Sequence, residues 1–257
     1  MPSPARLTCS TCKLRGVCLP DGLAPHELQR IDEHMVSARR KVPRGDRLYR
    51  AGDRFDTVYA VWTGFFKTSI WARSGRDQVT GFQMNGELLG LDGVAGGRHE
   101  VDAVALEDSQ VCVVRHEQLD ALCEAVPSLR RRFVALMGRE FVRTQHVMLL
   151  LGSMHAEERV AAFLLDLADR LRVRGFSAHS IMLRMTREEI GSYLGLTLET
   201  ISRTLSKFQA HGLLFVRNRQ VQITDPVGLR QLLDGETEPR TRPLPAFGAA
   251  PSQYAAP

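Results

Sequence analysis

The stretch MTREEIGSYLGLTLETISRTLSKFQAHGLLFVRNRQVQITD, residues 185–225, leaves the chain little freedom. Thr186 and Glu189 have the Thr-x-x-Glu spacing of a capping box, in which hydroxyl and carboxylate each satisfy a free N–H of the first helical turn. The helix that starts there is expected to stop at Gly195. Thr197 then serves as N-cap of a second helix, and Gly212 stops it. Ile201, Leu205 and Phe208 recur at i, i+4 and i+7 and must face a core, which leaves Glu199, Ser202, Arg203 and Ser206 on the opposite face. An ordinary helical hairpin with a solvated face is the bland alternative. Cap, turn, polar face and the basic hairpin that follows all agree instead on a helix-turn-helix, whose second helix reads base edges with its N-terminal residues. Arginine can bond O6 and N7 of guanine together, a carboxylate can accept from cytosine N4, and a serine hydroxyl can do either. The segment LLFVRNRQVQIT reads as a wing with Arg217 and Arg219 at its tip, placed for phosphate. The residues expected to touch DNA are thus Thr197, Glu199, Ser202, Arg203, Ser206, Arg217 and Arg219.

Upstream, from about Val42 to Val114, short β-branched and aromatic runs (TVYAVW, FFKTSI, QVTGF, QVCVV) alternate with turn chemistry such as PRGDR, AGDRFD and RSGRD. That rhythm predicts an antiparallel sandwich or roll, and the chain as a whole an α+β fold. Pro127-Ser128 opens a long helical stretch. Val134, Met137, Phe141, Thr144, Met148 and Leu151 step along it by three and four, the a/d seam of a coiled coil. The stripe is narrow and flanked by Arg139, Arg143 and Gln145, whereas a helix packed only on its own core shows a wider apolar face. A homodimer through this helix is expected. The seam gives out near Gly152, where AEERVAAFLLDLADRL starts a new amphipathic helix. The expected organisation is a cysteine-bearing segment (1–20), a β-roll sensor domain (21–127), a dimerisation helix (128–153), a winged helix-turn-helix (154–235) and a disordered tail (236–257) rich in Pro, Ala and Gly.

Three of the five cysteines, Cys9, Cys12 and Cys18, fall within the first eighteen residues. Disulfide stapling does not suit an odd count in a chain of 257 residues without an apolar leader. The spacing C-x2-C-x5-C suits structural zinc, with His26 or His34 as a substitute ligand, and an iron–sulfur cluster alike. Cys123, in LDALCEAV, follows the apolar positions of a helix and reads as a small buried hydrophobe. Apolar stretches such as VMLLL are too short to cross a bilayer, so no membrane role and a cytoplasmic location are expected. Net charge is +5 with pI near 9.2, which suits a polyanionic partner without demanding one.

The helix-turn-helix, TREEIGSYLGLTLETISRTLSKFQAHGLL, resembles the Fnr/Anr branch of the Crp/Fnr superfamily of bacterial regulators, whose reading signature E-x-x-S-R stands here as Glu199, Ser202 and Arg203. The glycine-punctuated roll with Gly45, Gly52, Asp53 and Gly64, and AEERVAAFLLDLADRLRVRGFS, are similar to that family too. The resemblance spans Cys9 to about Leu233. It implies an oxygen-sensing [4Fe–4S] cluster on Cys9, Cys12, Cys18 and a distant fourth ligand, Cys112. It also implies a palindromic double-stranded DNA site of the form TTGAT-N4-ATCAA, control of anaerobic genes, and RNA polymerase as partner, with the turn Asn85-Gly86-Glu87 as a contact. Some relatives place an acidic residue where Thr144 stands here, repelling its copy across the dimer axis. Cyclic nucleotide is not expected: the sister branch's Gly-Glu and Arg-Ser or Arg-Thr pairs are Gly90-Leu91 and Arg98-His99 here, and Arg98 reads as merely solvated. An iron–sulfur enzyme or electron carrier is one rival class, and the helix-turn-helix speaks against it; a regulator that answers another ligand through the roll, with zinc on the cysteines, is the other.

Overall fold

The computed structural model describes residues 8–71 and 77–234. The expectation of a disordered tail over 236–257 lies outside the described residues. The chain divides between His146 and Val147 into two units. In the first, helices α1 (Arg15–Cys18) and α2 (Pro25–His34) precede strands β1 (Ala38–Val42), β2 (Arg47–Tyr49), β3 (Thr57–Thr63), β4 (Phe65–Trp71), β5 (Asp77–Met84), β6 (Leu88–Leu89), β7 (Asp102–Ala105) and β8 (Ser109–Arg115). Helix α3 (His116–Ala125) and the long α4 (Pro127–Ser153) follow, and α4 runs on into the second unit. That unit adds α5 (Ala156–Val173), β9 (Ser180–Met182), α6 (Arg187–Leu194), α7 (Leu198–Ala210), β10 (Leu214–Arg217), β11 (Gln220–Ile223) and α8 (Pro226–Asp234). The fold is α+β.

The first unit is an antiparallel roll of two four-stranded sheets, β1-β8-β3-β6 and β2-β7-β4-β5. Their inner faces bury Val42, Leu48, Tyr49, Val61, Phe66, Leu89 and Val111 among others, the paired-sheet core that alternating strands produce. The β3–β4 hairpin depends on Gly64. Its φ is 102°, and a Cβ there would lie 2.0 Å from Ser109 Oγ. Strand β1 escapes the sequence pattern because it is a sheet edge carrying Arg39, Arg40 and Lys41, the charges with which edges are blunted. Helix α2, also illegible as a pattern, is started by Pro25 and by Glu27 Oε2, which accepts from Ala24 N at 2.8 Å.

A second core covers the outer face of β3 and β8. Val58 and Val114, paired across the ladder, are buried with Leu19, Leu23, Ile31, Leu119, Leu122, Val126 and Leu129. Cys123 is buried there too.

In the second unit α5 buries Val160, Phe163, Leu164 and Leu167 and is the element on which α7 and α8 pack. Three strands, in the order β10-β11-β9, close the wing. Strand β9 is a third member of what the sequence presents as a two-stranded hairpin. Among the described residues no helix is long and apolar enough to cross a membrane.

A candidate DNA-reading helix and four converging thiols

The reader is built as its caps dictate. Thr186 Oγ1 accepts from Glu189 N at 3.1 Å and Glu189 Oε2 from Thr186 N at 2.7 Å, the reciprocal capping box. Gly195 ends α6 in the left-handed region at φ 64°, and Thr197 Oγ1 accepts from Thr200 N at 3.2 Å to start α7. Ile201, Leu205 and Phe208 are buried, joined by Thr204, which the sequence reading left out. Between the helices the chain passes so close to α6 that a Cβ on Gly191 would stand 2.6 Å from the Leu196 carbonyl oxygen. Glu199, Arg203 and Ser206 are exposed. Hydrogen bonds from its own backbone N–H first, then from the Thr197 hydroxyl, hold the Glu199 carboxyl below its ordinary range, with Arg203 adding to the effect. It therefore stays an ionised acceptor. Ser202 accepts from Arg187 Nη1 at 3.0 Å, and the Ser206 hydroxyl donates to the Ser202 carbonyl at 3.1 Å. Arg187, on the first turn of α6, is a member of this polar face that no periodicity revealed.

In the wing, Arg217 pairs with Gln220 across a two-residue turn, Asn218-Arg219, with Asn218 at φ 58°. Arg217 is exposed. Arg219 is exposed as well, but its Nη1 is engaged with the Arg184 carbonyl at 3.3 Å.

On α4 the seam positions face outward. Val134, Phe141 and Met148, seven residues apart, are 55%, 65% and 67% exposed, and Leu151 is 38% exposed. Thr144 is exposed and Met137 half-buried. The Thr144 hydroxyl donates to the Glu140 carbonyl one turn back at 3.0 Å.

The N-terminal cysteines and Cys112 are brought together. Cys112 stands opposite Ala60 and Arg39 in the sheet, on the outer face of the roll beside Val114. Cys9 packs against the second core. Its thiol is pushed up to about 12, by burial first and then by Cys112, Asp32, Cys18 and Cys12. Burial also raises the Cys112 thiol, opposed by a hydrogen bond from Arg39 and that residue's charge; Cys12 raises it further. Asp32 anchors the segment: Oδ1 accepts from Cys9 N at 2.6 Å and Ser10 N at 2.9 Å, and Oδ2 from the Ser10 hydroxyl. Neither Asp32 nor Arg39 was legible from spacing.

Among the described residues no three His, Cys, Asp or Glu side chains are arranged to hold one metal ion. His26 and His34 are exposed, and His34 Nε2 lies 3.8 Å from a Glu33 carboxylate oxygen. A cubane cluster asks for a different arrangement, one thiolate at each of four separate iron corners. Four part-buried thiols fit that demand by donor type, and at Cys9 and Cys112, whose affinity for protons is raised, iron charge would replace the proton.

Two regions depart from the sequence reading. Arg98 is exposed but donates to the Gly52 carbonyl at 2.7 Å, so it is more than a solvated side chain. His99 is buried and stacks on Tyr49 with ring centroids 3.7 Å apart, and Tyr49 Oη accepts from Gly90 N at 2.9 Å. The turn Asn85-Gly86-Glu87 is not an open hairpin tip. Gly86 and Glu87 are buried, and Glu87 accepts from Met84 N at 3.0 Å and lies 3.4 Å from Arg143 Nη2.

Residues 158–232 match the Crp-like helix-turn-helix domain and residues 39–126 the cyclic nucleotide-binding domain. The chain is 45% identical to the transcriptional regulatory protein Btr of Bordetella pertussis, over 91% of this chain and 97% of that one. The chain belongs to the Crp/Fnr family. The fumarate and nitrate reduction regulatory protein of Escherichia coli is 40% identical, over 87% of this chain and 89% of its own length. The structure of FixK2 from Bradyrhizobium japonicum superposes with a TM-score of 0.71 at 33% identity, over 77% of this chain and 98% of that chain. Crp/Fnr membership makes this chain a transcription regulator with a DNA-binding domain, and not an enzyme.

Proposed function

We propose that this Crp/Fnr protein is an oxygen-responsive regulator of anaerobic genes. It would work in the cytoplasm as a homodimer on a palindromic site resembling the Fnr box, with a [4Fe–4S] cluster on Cys9, Cys12, Cys18 and Cys112. The observation that carries the reading is the Cys9 thiol, which feels Cys112 from the roll together with Cys12 and Cys18 from its own segment. Likeness to a regulator named for fumarate and nitrate reduction supports the anaerobic role.

When bound, the cluster supplies an oxygen-labile link between the four thiolates. The chain's own residues do the rest. Asp32 holds the backbone of Cys9 and Ser10 in place, and Arg39 offsets charge at Cys112. Val134, Phe141 and Met148 form an exposed row at heptad spacing, and covering each against a partner helix is worth about 1.5–3 kcal/mol. Glu199, Ser202 and Arg203 read base edges, while Arg217 and Arg219 approach phosphate. RNA polymerase is a further proposed partner; because Gly86 and Glu87 are covered, its contact lies elsewhere. Cyclic nucleotide is not an expected ligand: Leu91 and His99 stand at the sister branch's Glu and Ser or Thr positions, and His99 is stacked on Tyr49.

The test is colour and its loss. Anaerobically purified protein should be brown and should bleach in air, whereas a zinc protein is colourless. Cys→Ser at positions 9, 12, 18 or 112 should each remove the absorbance, and Cys123→Ser should keep it. A colourless wild-type protein, or one dependent on Cys123, overturns the cluster assignment.

A further inference from the structure

We infer that Arg132 is a positioning residue that couples the Cys18 turn to the dimerisation helix. The inference rests on the proposed roles of Cys18 as a cluster ligand and α4 as the dimer helix. Helix α1 is a single turn, and its last carbonyls have no partner inside it. Cys18 N closes on the Leu14 carbonyl at 3.0 Å and Leu19 N on the Arg15 carbonyl at 2.7 Å. The next two carbonyls, of Gly16 and Val17, both accept from Arg132 Nη2 on α4, at 3.0 and 2.7 Å.

The same short stretch reaches α4 by a second route. A Cβ on Gly86 would stand 2.5 Å from Val17 Cγ1, so Val17 is seated directly on that glycine. The following residue is Glu87, buried and 3.4 Å from Arg143 Nη2. The residue before the ligand cysteine is thus tied to α4 at Arg132, and through Gly86 and Glu87 at Arg143.

Apolar packing at this place leaves a small gap. A cavity of about 30 Å³ lies among Cys18, Val114, Leu129, Phe133 and Leu136. Interiors are close-packed as a rule, and a void forfeits the contacts that would fix its walls. The polar clamp therefore adds a directional tie to the packing of Leu129 and Phe133 that joins α4 to the cluster holding Leu19. Val134 and Met137 follow Arg132 within two turns, so a shift of the clamp moves the seam with it.

The experiment compares wild type, R132M and R132K as full-length chains. Cluster absorbance and dimer dissociation constants by sedimentation are read in the loaded and cluster-free forms, with the rate of Cys18 alkylation by iodoacetamide in the cluster-free form. R132M should load a cluster as wild type does and keep its cluster-free dimer constant. Its gain in dimer affinity on loading should fall about tenfold, the scale of one lost charged hydrogen-bond pair, and Cys18 should be alkylated several times faster. R132K should restore part of both. A loaded R132M that dimerises like wild type, or one weakened equally in both forms, overturns the coupling. If wild type takes no cluster, the cluster reading fails on its own account; alkylation of Cys18 still decides the clamp, and an unchanged rate overturns it.

Discussion

Arg159 donates through Nη1 to the Leu194 carbonyl at 3.0 Å, and with its other nitrogens to Leu151 at 3.0 Å and Met154 at 2.9 Å. One guanidinium thus closes carbonyls at the end of α4 and at the end of α6, the groups that every helix leaves unpaired at its C-terminus. Arg159→Met should lower unfolding stability by about 1–3 kcal/mol, the range for hydrogen bonds from a charged donor. Urea denaturation checks it. A midpoint equal to wild type would mean that water serves these carbonyls as well.

Gly191 is the tightest point of the reader. A methyl group there would meet the Leu196 carbonyl at 2.6 Å, which is backbone and cannot swing aside as a side chain can. Gly191→Ala should cost about 1–3 kcal/mol of stability and weaken specific DNA binding, because the turn that positions α7 must open. Calorimetry with a gel-shift titration reads both.

Arg203 is exposed on the polar face of α7. Arg203→Ala should cost about 1–3 kcal/mol on a specific site and far less on random DNA at equal salt. Equal losses on the two DNAs would assign Arg203 to phosphate.

Thr144 is neutral at the middle of the proposed seam, its hydroxyl bonded to the Glu140 carbonyl. Thr144→Asp would set two carboxylates face to face across the proposed dimer axis, a repulsion of about 1–3 kcal/mol if partly buried. Sedimentation of cluster-free protein should show the variant shifted to monomer relative to wild type at matched concentration. The loaded variant should still bind DNA. Wild type should correspondingly dimerise more readily without a cluster than relatives carrying the acid. Equal monomer fractions for wild type and variant would remove Thr144 from the control of assembly.

The elements legible in the sequence are those whose rules are local. Thr186, Glu189, Gly195 and Thr197 announce two helices because a cap needs only residues within one turn. Val134, Phe141 and Met148 announce a seam because heptad spacing is one-dimensional. What stayed hidden depends on chain segments far apart. Asp32 meets Cys9 across 23 residues and Arg132 meets Val17 across 115, and neither pairing leaves a mark in spacing. Arg40 and Lys41 on β1 show no strand pattern, and the edge of the sheet explains them. The covering of Glu87 was missed for a related reason: Asn-Gly-Glu is turn chemistry wherever it occurs, and only Val17 and Arg143 show that this turn faces protein.

The stack of Tyr49 on His99, flanked by the edge of Phe55 at 5.7 Å, bears on how the protein could be controlled from outside. Added cyclic nucleotide should leave a gel-shift titration of specific DNA unchanged, as expected of a roll in which Tyr49 and His99 stack on each other. Displacing the Tyr49 ring would strand the Gly90 N–H that it now satisfies. Small-molecule silencing of this regulator has better purchase on the outer surface of the roll, where the part-buried thiols border the second core.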